Sequence, residues 1–241
     1  VSDLFGPLQD SPAYRLIANQ IEQRIVERSL RAGDALPSET DLARQFGVNR
    51  STIREAIREL ETHGLLGRGR GEKRLRVTRP EPRNISTGVS RALALHDVTF
   101  LELWEAMMAI EPAATEYAAT RRSAAQLQRL ARAAARFKRD AEDTVTAVAA
   151  VTEFFSAVAE ASGNRVLALS QAPLNQLLEA ALTLMIDRVP QARARIQAAQ
   201  EKITAAIKLK RPEQARTWME KHIRDFKRGY DLERQKQPPN R

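Results

Sequence analysis

The chain contains no cysteine, which removes disulfides, thiolate metal sites and cysteine nucleophiles at once. Histidine is nearly as scarce. His63, His96 and His222 are the three copies, and the first two fall in or near the N-terminal third, too far along the chain from His222 to suggest a histidine cluster. No run of about 18 or more apolar residues is uninterrupted, and Val1 to Asp10 lacks the basic flank and apolar stretch of a secretory leader. The expectation is a soluble cytoplasmic protein without membrane contact. No phosphate loop and no nucleophile–base pair is visible in the second half, so an enzyme is not expected.

What is present is length and positive charge. A chain of 241 residues accommodates two modest domains, each with its own core. The formal charge of +9 fits a polyanionic partner, because lysine and arginine that neutralise phosphates release condensed counterions. Charge by itself fits a sequence-indifferent DNA-coating protein equally well.

The charge has an address. Tyr14, Ile17, Ile21 and Ile25 repeat at helical spacing from Pro12, and Gly33-Asp34 is expected to close this first helix. Ser38-Glu39-Thr40-Asp41 then offers a serine cap answered by an acidic residue three positions on, with Leu42, Ala43 and Phe46 as the buried side of a short helix. Gly47-Val48-Asn49 interrupts it, and Asn49 can cap a further helix with Ile53, Ala56, Ile57 and Leu60 on its inner stripe. Two short helices about a glycine turn make a helix-turn-helix. Leu65-Leu66 and Arg74-Leu75-Arg76-Val77 are expected as strands flanking a basic turn, Gly67-Arg68-Gly69-Arg70-Gly71.

The outer face of the third helix carries Arg50, Ser51, Thr52, Arg54 and Arg58, with the positive end of the helix dipole on the same side. From Arg50 to Arg79 nine Lys/Arg face four Asp/Glu. Arginine can read guanine through a bidentate bond, whereas hydroxyls usually take phosphates. Arg50 and Arg54 are therefore expected to read bases, Ser51 and Thr52 to hold the backbone, and His63 with Gly64 to close the helix, His63 with an option on a phosphate.

Leu36-Pro37-Ser38-Glu39, Leu42-Ala43, Gly47 to Ala56, Leu60 and His63-Gly64-Leu65-Leu66 together resemble the signature of the GntR family of bacterial transcription factors. The resemblance implies dimers on palindromic operators, the recognition helix in the major groove and the wing in the adjacent minor groove. It places Asn49, Arg50, Ser51, Thr52, Arg54, Arg58, His63, Gly64, Arg70 and Gly71 at DNA. Two positions depart from it: Thr40 stands where arginine is frequent, and Asn49 where serine is usual.

Pro80-Glu81-Pro82-Arg83-Asn84 has no apolar period and marks a linker, giving a winged domain over 1–79, a linker over 80–95, a second domain over 96–232 and a polar tail over 233–241. The second domain is expected to be an all-helical bundle of about six or seven helices, with breaks near Ser123, 141–143, Ser162-Gly163-Asn164, Pro173, Pro190 and Pro212. The fold class is thus mainly α. Trp104 to Pro112, Phe155 to Asn164 and Ala215 to His222 resemble the FadR-type effector domain of the same family, the FCD domain.

Many members hold a divalent metal there through an aspartate and three histidines, with an arginine on the first helix for a carboxylate effector. At the matching positions this chain has Thr152, Ser156 and Gln200, retains His222, and has Met107 and Met108 in place of the arginine. Hydroxyls and an amide are poor substitutes for carboxylate and imidazole. No metal is expected, and Met107, Thr152, Ser156, Gln200 and His222 are the candidate effector pocket, suited to a neutral or more apolar small molecule. Ordinary core hydrogen bonding, a degenerate metal site and outright loss of effector binding remain the alternatives.

Overall fold

The computed structural model describes residues 12–69, 74–79, 89, 92, 95–139 and 143–234. The chain is mainly helical and divides after Asn84 into two compact units.

The N-terminal unit contains α1 (Ala13–Val26), α2 (Glu39–Phe46), α3 (Arg50–Thr62), β1 (Leu66–Gly67) and β2 (Arg76–Val77). α1 ends well before Gly33, earlier than the sequence suggested. Arg28 turns left-handed with φ 63°, and the Leu30 N–H bonds back to the Arg24 carbonyl at 3.0 Å. The physical reason lies downstream: after the turn at Gly33, Asp34 to Leu36 must lie alongside β2, so the helix has to stop early. Gly33 N–H donates to Val77, Val77 N–H to Asp34 and Leu36 N–H to Leu75.

Ser38 caps α2 as its spacing predicts, accepting from the Asp41 N–H at 3.1 Å while its hydroxyl donates to the Asp41 carboxylate. Those contacts, first the Ser38 hydroxyl and then Arg44, hold Asp41 below the usual carboxylate range. Gly47 ends α2 in the left-handed region at φ 66°, the conformation for which glycine has no steric penalty. Replacing Ser38 with alanine is expected to cost the N-terminal unit about 1 kcal/mol. A thermal melt should show the lower midpoint; an unchanged one would mean that Asp41 caps alone.

The core of this unit is Ile17 and Ile21 of α1, Leu42 of α2, and Ile53, Ala56, Ile57 and Leu60 of α3, closed by Leu66, Leu75 and Val77. The strands are antiparallel with Leu66 opposite Val77, and shorter than expected because Leu75 is engaged by Leu36. The basic turn's Arg70 and Gly71 lie outside the described residues.

The C-terminal unit contains, among the described residues, six helices: α4 (Phe100–Arg121), α5 (Ala124–Arg139), α6 (Thr144–Ala161), α7 (Arg165–Arg188), α8 (Ala192–Lys208) and α9 (Pro212–Arg234). The expected bundle is present. Caps explain the starts: Thr99 and Glu102 form a reciprocal capping box, Asp143 caps α6, and Asn164 caps α7. α6 runs through the centre, contributing Val151, Phe154, Phe155 and Val158 to the core, and it packs on α4, α5 and α7. It is the one helix among the described residues long and apolar enough to cross a membrane, and over half of it is buried inside the bundle.

Pro173 does not break a helix, contrary to the sequence expectation. It sits buried inside α7, as Pro112 sits buried inside α4. Each proline removes one backbone hydrogen bond, at a cost of about 3 kcal/mol. In α7 the stripe Gln171, Asn175, Leu178 and Leu182 is buried on both sides of the proline, and packing outweighs the local loss.

Candidate DNA interface and candidate effector pocket

The α3 surface has two faces of opposite character. Ile53, Ala56 and Leu60 are completely enclosed, while Asn49, Arg50, Ser51, Arg54 and Arg58 are exposed and Thr52 is half-buried. Asn49 occupies the cap position with extended backbone, but its side chain makes no cap bond, so the expected asparagine cap is backbone only. The amide is therefore left at the surface beside Arg50. At the far end His63 is exposed, and Gly64 turns left-handed at φ 72°, passing its N–H to the Glu61 carbonyl and letting Leu65 bond back to Leu60.

A polar hollow lies between α3, the start of α2 and the wing, lined by Ser38, Glu39, Arg50, Arg54, Arg68 and Arg74. At its centre Glu39 meets three guanidinium groups: Arg54 Nε at 3.2 Å, Arg68 at 3.7 Å and Arg50 at 3.8 Å. Arg68 is also held by Glu61 at 2.9 Å. Glu39 and Arg68 were not singled out as contributors to this face from sequence. No local sequence signal marks them, because the partners of Glu39 lie in α3 and in the wing.

In the C-terminal unit the candidate pocket residues fall into separate groups. Met107 and His222 share the lining of one small void with Phe155, Leu182, Ile196 and Phe226. The His222 ring stacks on Phe155 with centroids 5.8 Å apart. Burial pushes this imidazole down to about 4, with Asp225 opposing the shift.

Thr152 and Ser156 are half-buried and belong to another group. Their hydroxyls donate to the Ala149 and Thr152 carbonyls of their own helix, and Ser156 accepts from Asn175 Nδ2 at 2.8 Å. Asn175 also donates to the Thr152 carbonyl and accepts from Gln171 Nε2 at 3.0 Å. Gln200 is buried, with neither polar atom of its amide partnered among the described residues.

Glu111, on the same stripe of α4 as Met107, is fully buried, and neither carboxylate oxygen has a partner in hydrogen-bonding geometry among the described residues. Desolvation raises its pKa to about 8, with the Gln171 amide pulling the other way, so it carries a proton at neutral pH. Gln171 retains an unmet carbonyl oxygen as well. Glu111, Gln171 and Asn175 were not named as site residues from sequence.

The four positions at which the resemblance implies a divalent metal site are Thr152, Ser156, Gln200 and His222. Thr152 and Ser156 hydroxyls already have protein partners and Gln200 supplies only a neutral amide, which leaves His222 as the single imidazole or carboxylate among these positions. These residues do not fit a divalent ion. Among the described residues no three His, Asp or Glu side chains converge.

Comparison with known proteins gives consistent findings for both units. Residues 13–73 match the family described as bacterial regulatory proteins, gntR family, and residues 102–225 match the FCD domain. The transcriptional repressor NanR of Cronobacter sakazakii is 29% identical over 178 residues, spanning 72% of this chain and 68% of that protein. NanR of Citrobacter rodentium is 28% identical over 185 residues, spanning 76% and 71%. Among solved structures, Streptococcus agalactiae GntR superposes with a TM-score of 0.64 and 25% identity, covering 89% of this chain and 99% of that one.

Proposed function

This chain belongs to the GntR family of bacterial regulatory proteins, in the branch that carries an FCD domain, and on that premise we propose that it is a ligand-responsive repressor binding a palindromic operator as a homodimer. The observation that carries the reading is the division of α3: its inner stripe is sealed in the core while its N-terminal arginines and hydroxyls stand outside. A helix so anchored can enter a major groove without unfolding anything. The repressors that this chain resembles support the sign of regulation. A palindrome follows from symmetry, since two identical recognition helices read two inverted half-sites. The work is that of a cytoplasmic DNA-binding protein rather than an enzyme.

The effector enters the C-terminal bundle. Met107, in place of a cation, lines one small void, while Thr152, Ser156 and Asn175 form a separate hydrogen-bonded group; neither group nor the Gln200 amide carries a charge, which suits an uncharged ligand bound without metal. His222 contributes a neutral imidazole.

Selection from a randomised duplex library by the full-length protein, followed by gel-shift titration, tests the DNA half of this reading. Saturable binding to an inverted repeat, with two chains per duplex in sedimentation, is expected. Equal affinity for random duplex would favour an architectural, sequence-indifferent protein. For the effector half, screening metabolites for a rise in melting temperature should find a ligand that binds the folded state by mass action. Stoichiometric metal in the purified protein, lost on His222→Ala, would overturn the metal-free pocket.

A further inference from the structure

We propose that Glu39 is a positioning residue for DNA recognition: its carboxylate gathers Arg50 and Arg54 of the recognition helix and Arg68 of the wing, presetting them for the operator. The assignment rests on the DNA-binding reading above and adds to it a residue of the opposite charge.

A carboxylate on a surface that meets phosphates opposes binding to any DNA, since it repels the backbone and reduces counterion release. Nor does it matter much to the fold, because ion pairs with arginines as exposed as these contribute little to stability. Arg50 and Arg54 side chains are both 63% exposed. Glu39 itself is only 24% exposed, lying deeper than the groups it holds. It is the first residue of α2, immediately after the Ser38 cap, so its backbone is fixed.

Three guanidiniums around one carboxylate retain most of their donors. A carboxylate offers about four lone-pair sites and each guanidinium five N–H groups, so the arginines can keep the contact and still present a bidentate edge to guanine. A free arginine must give up rotamer freedom when it docks. One already held loses less, and that gain appears only where the held geometry matches the bases. The network also reaches beyond α3. Arg68, directly after β1, bridges Glu39 and Glu61, so α2, α3 and the wing share one charged junction.

Glu39→Gln removes a negative charge and weakens the hold on the arginines. Binding of the full-length variant to the selected inverted-repeat duplex is expected to fall at least about fivefold, through lost base discrimination. Binding to random duplex should rise about two- to threefold, through reduced repulsion. Glu39→Asp keeps the charge but shortens the reach by one methylene. It should lose operator affinity with no gain on random DNA.

Gel shifts on both probes, with a thermal melt to verify folding of each variant, read these outcomes. A rise on both probes for Glu39→Gln would overturn the proposal, leaving Glu39 as a repulsive charge alone. So would a loss confined to one base pair in a repeated selection, which would make Glu39 a direct base contact. Wild-type protein that shows no preference for any duplex would instead sink the regulator reading beneath it.

Discussion

Replacing Arg54 with alanine is expected to lower affinity for the selected operator at least about tenfold, and Arg50→Ala to do the same, while affinity for random duplex falls far less. Both side chains project from the exposed N-terminal half of α3, with the enclosed Ile53, Ala56 and Leu60 behind them fixing the helix. Truncation should therefore leave the fold intact. Arg58, one turn further along and also exposed, provides the contrast. If it meets a phosphate, Arg58→Ala weakens binding to every sequence by a similar factor and lowers the salt dependence by about one counterion. Gel shifts at two or three salt concentrations separate the two behaviours. Equal, salt-sensitive losses for Arg50, Arg54 and Arg58 variants would assign the whole face to the DNA backbone.

The second large effect concerns pH and the C-terminal unit. Glu111 has its pKa raised by burial from 4.5 to about 8. Between those values the folded carboxyl keeps a proton that the unfolded one has released, so folding takes up a proton. Its contribution is most favourable below about pH 4.5 and is progressively lost as pH rises toward 8, after which the slope ends.

Glu111→Gln presents a neutral group of the same shape with no proton to acquire. The variant's advantage over wild type should grow from pH 5 to pH 8, reaching on the order of 2–4 kcal/mol, or roughly 5–10 °C in melting temperature. Melts across that range test it, and the difference between the two proteins cancels the titration of all other groups. Parallel curves, or a variant less stable at pH 8, would show that the carboxyl is ionised or solvated in the folded state.

The features that could be read from sequence were those written in short spacings. Ser38 with Asp41, the left-handed Gly47, and Ile53, Ala56, Ile57 and Leu60 on one stripe all involve positions within a turn or two of each other. Helix physics at that range does not depend on the rest of the fold. Pro173 was not legible as a helix-interior residue, because proline's penalty is local whereas the buried stripe on either side of it is supplied by tertiary packing.

The charged hollow was hidden for the complementary reason. Glu39 meets partners in α3 and in the wing, and no local period announces that union. Glu111 stood closer to legibility. It shares its stripe with Met107, Ala114 and Ala118, and an acid on an otherwise apolar stripe signals an unusual proton. The hydrogen-bonded line from Gln171 through Asn175 to Ser156 joins α7 to α6, a juxtaposition that only the folded bundle could reveal.

The backbone bonds that join Gly33 to Leu36 with β2 have a thermodynamic corollary. They flank that strand on the side opposite β1, so the root of the wing is sewn along both margins. Such a root behaves as a bracket instead of a swinging arm: it turns with α3 and forfeits no backbone disorder when the duplex arrives. Changing how many residues form the tip would then alter its reach while leaving the angle of approach untouched.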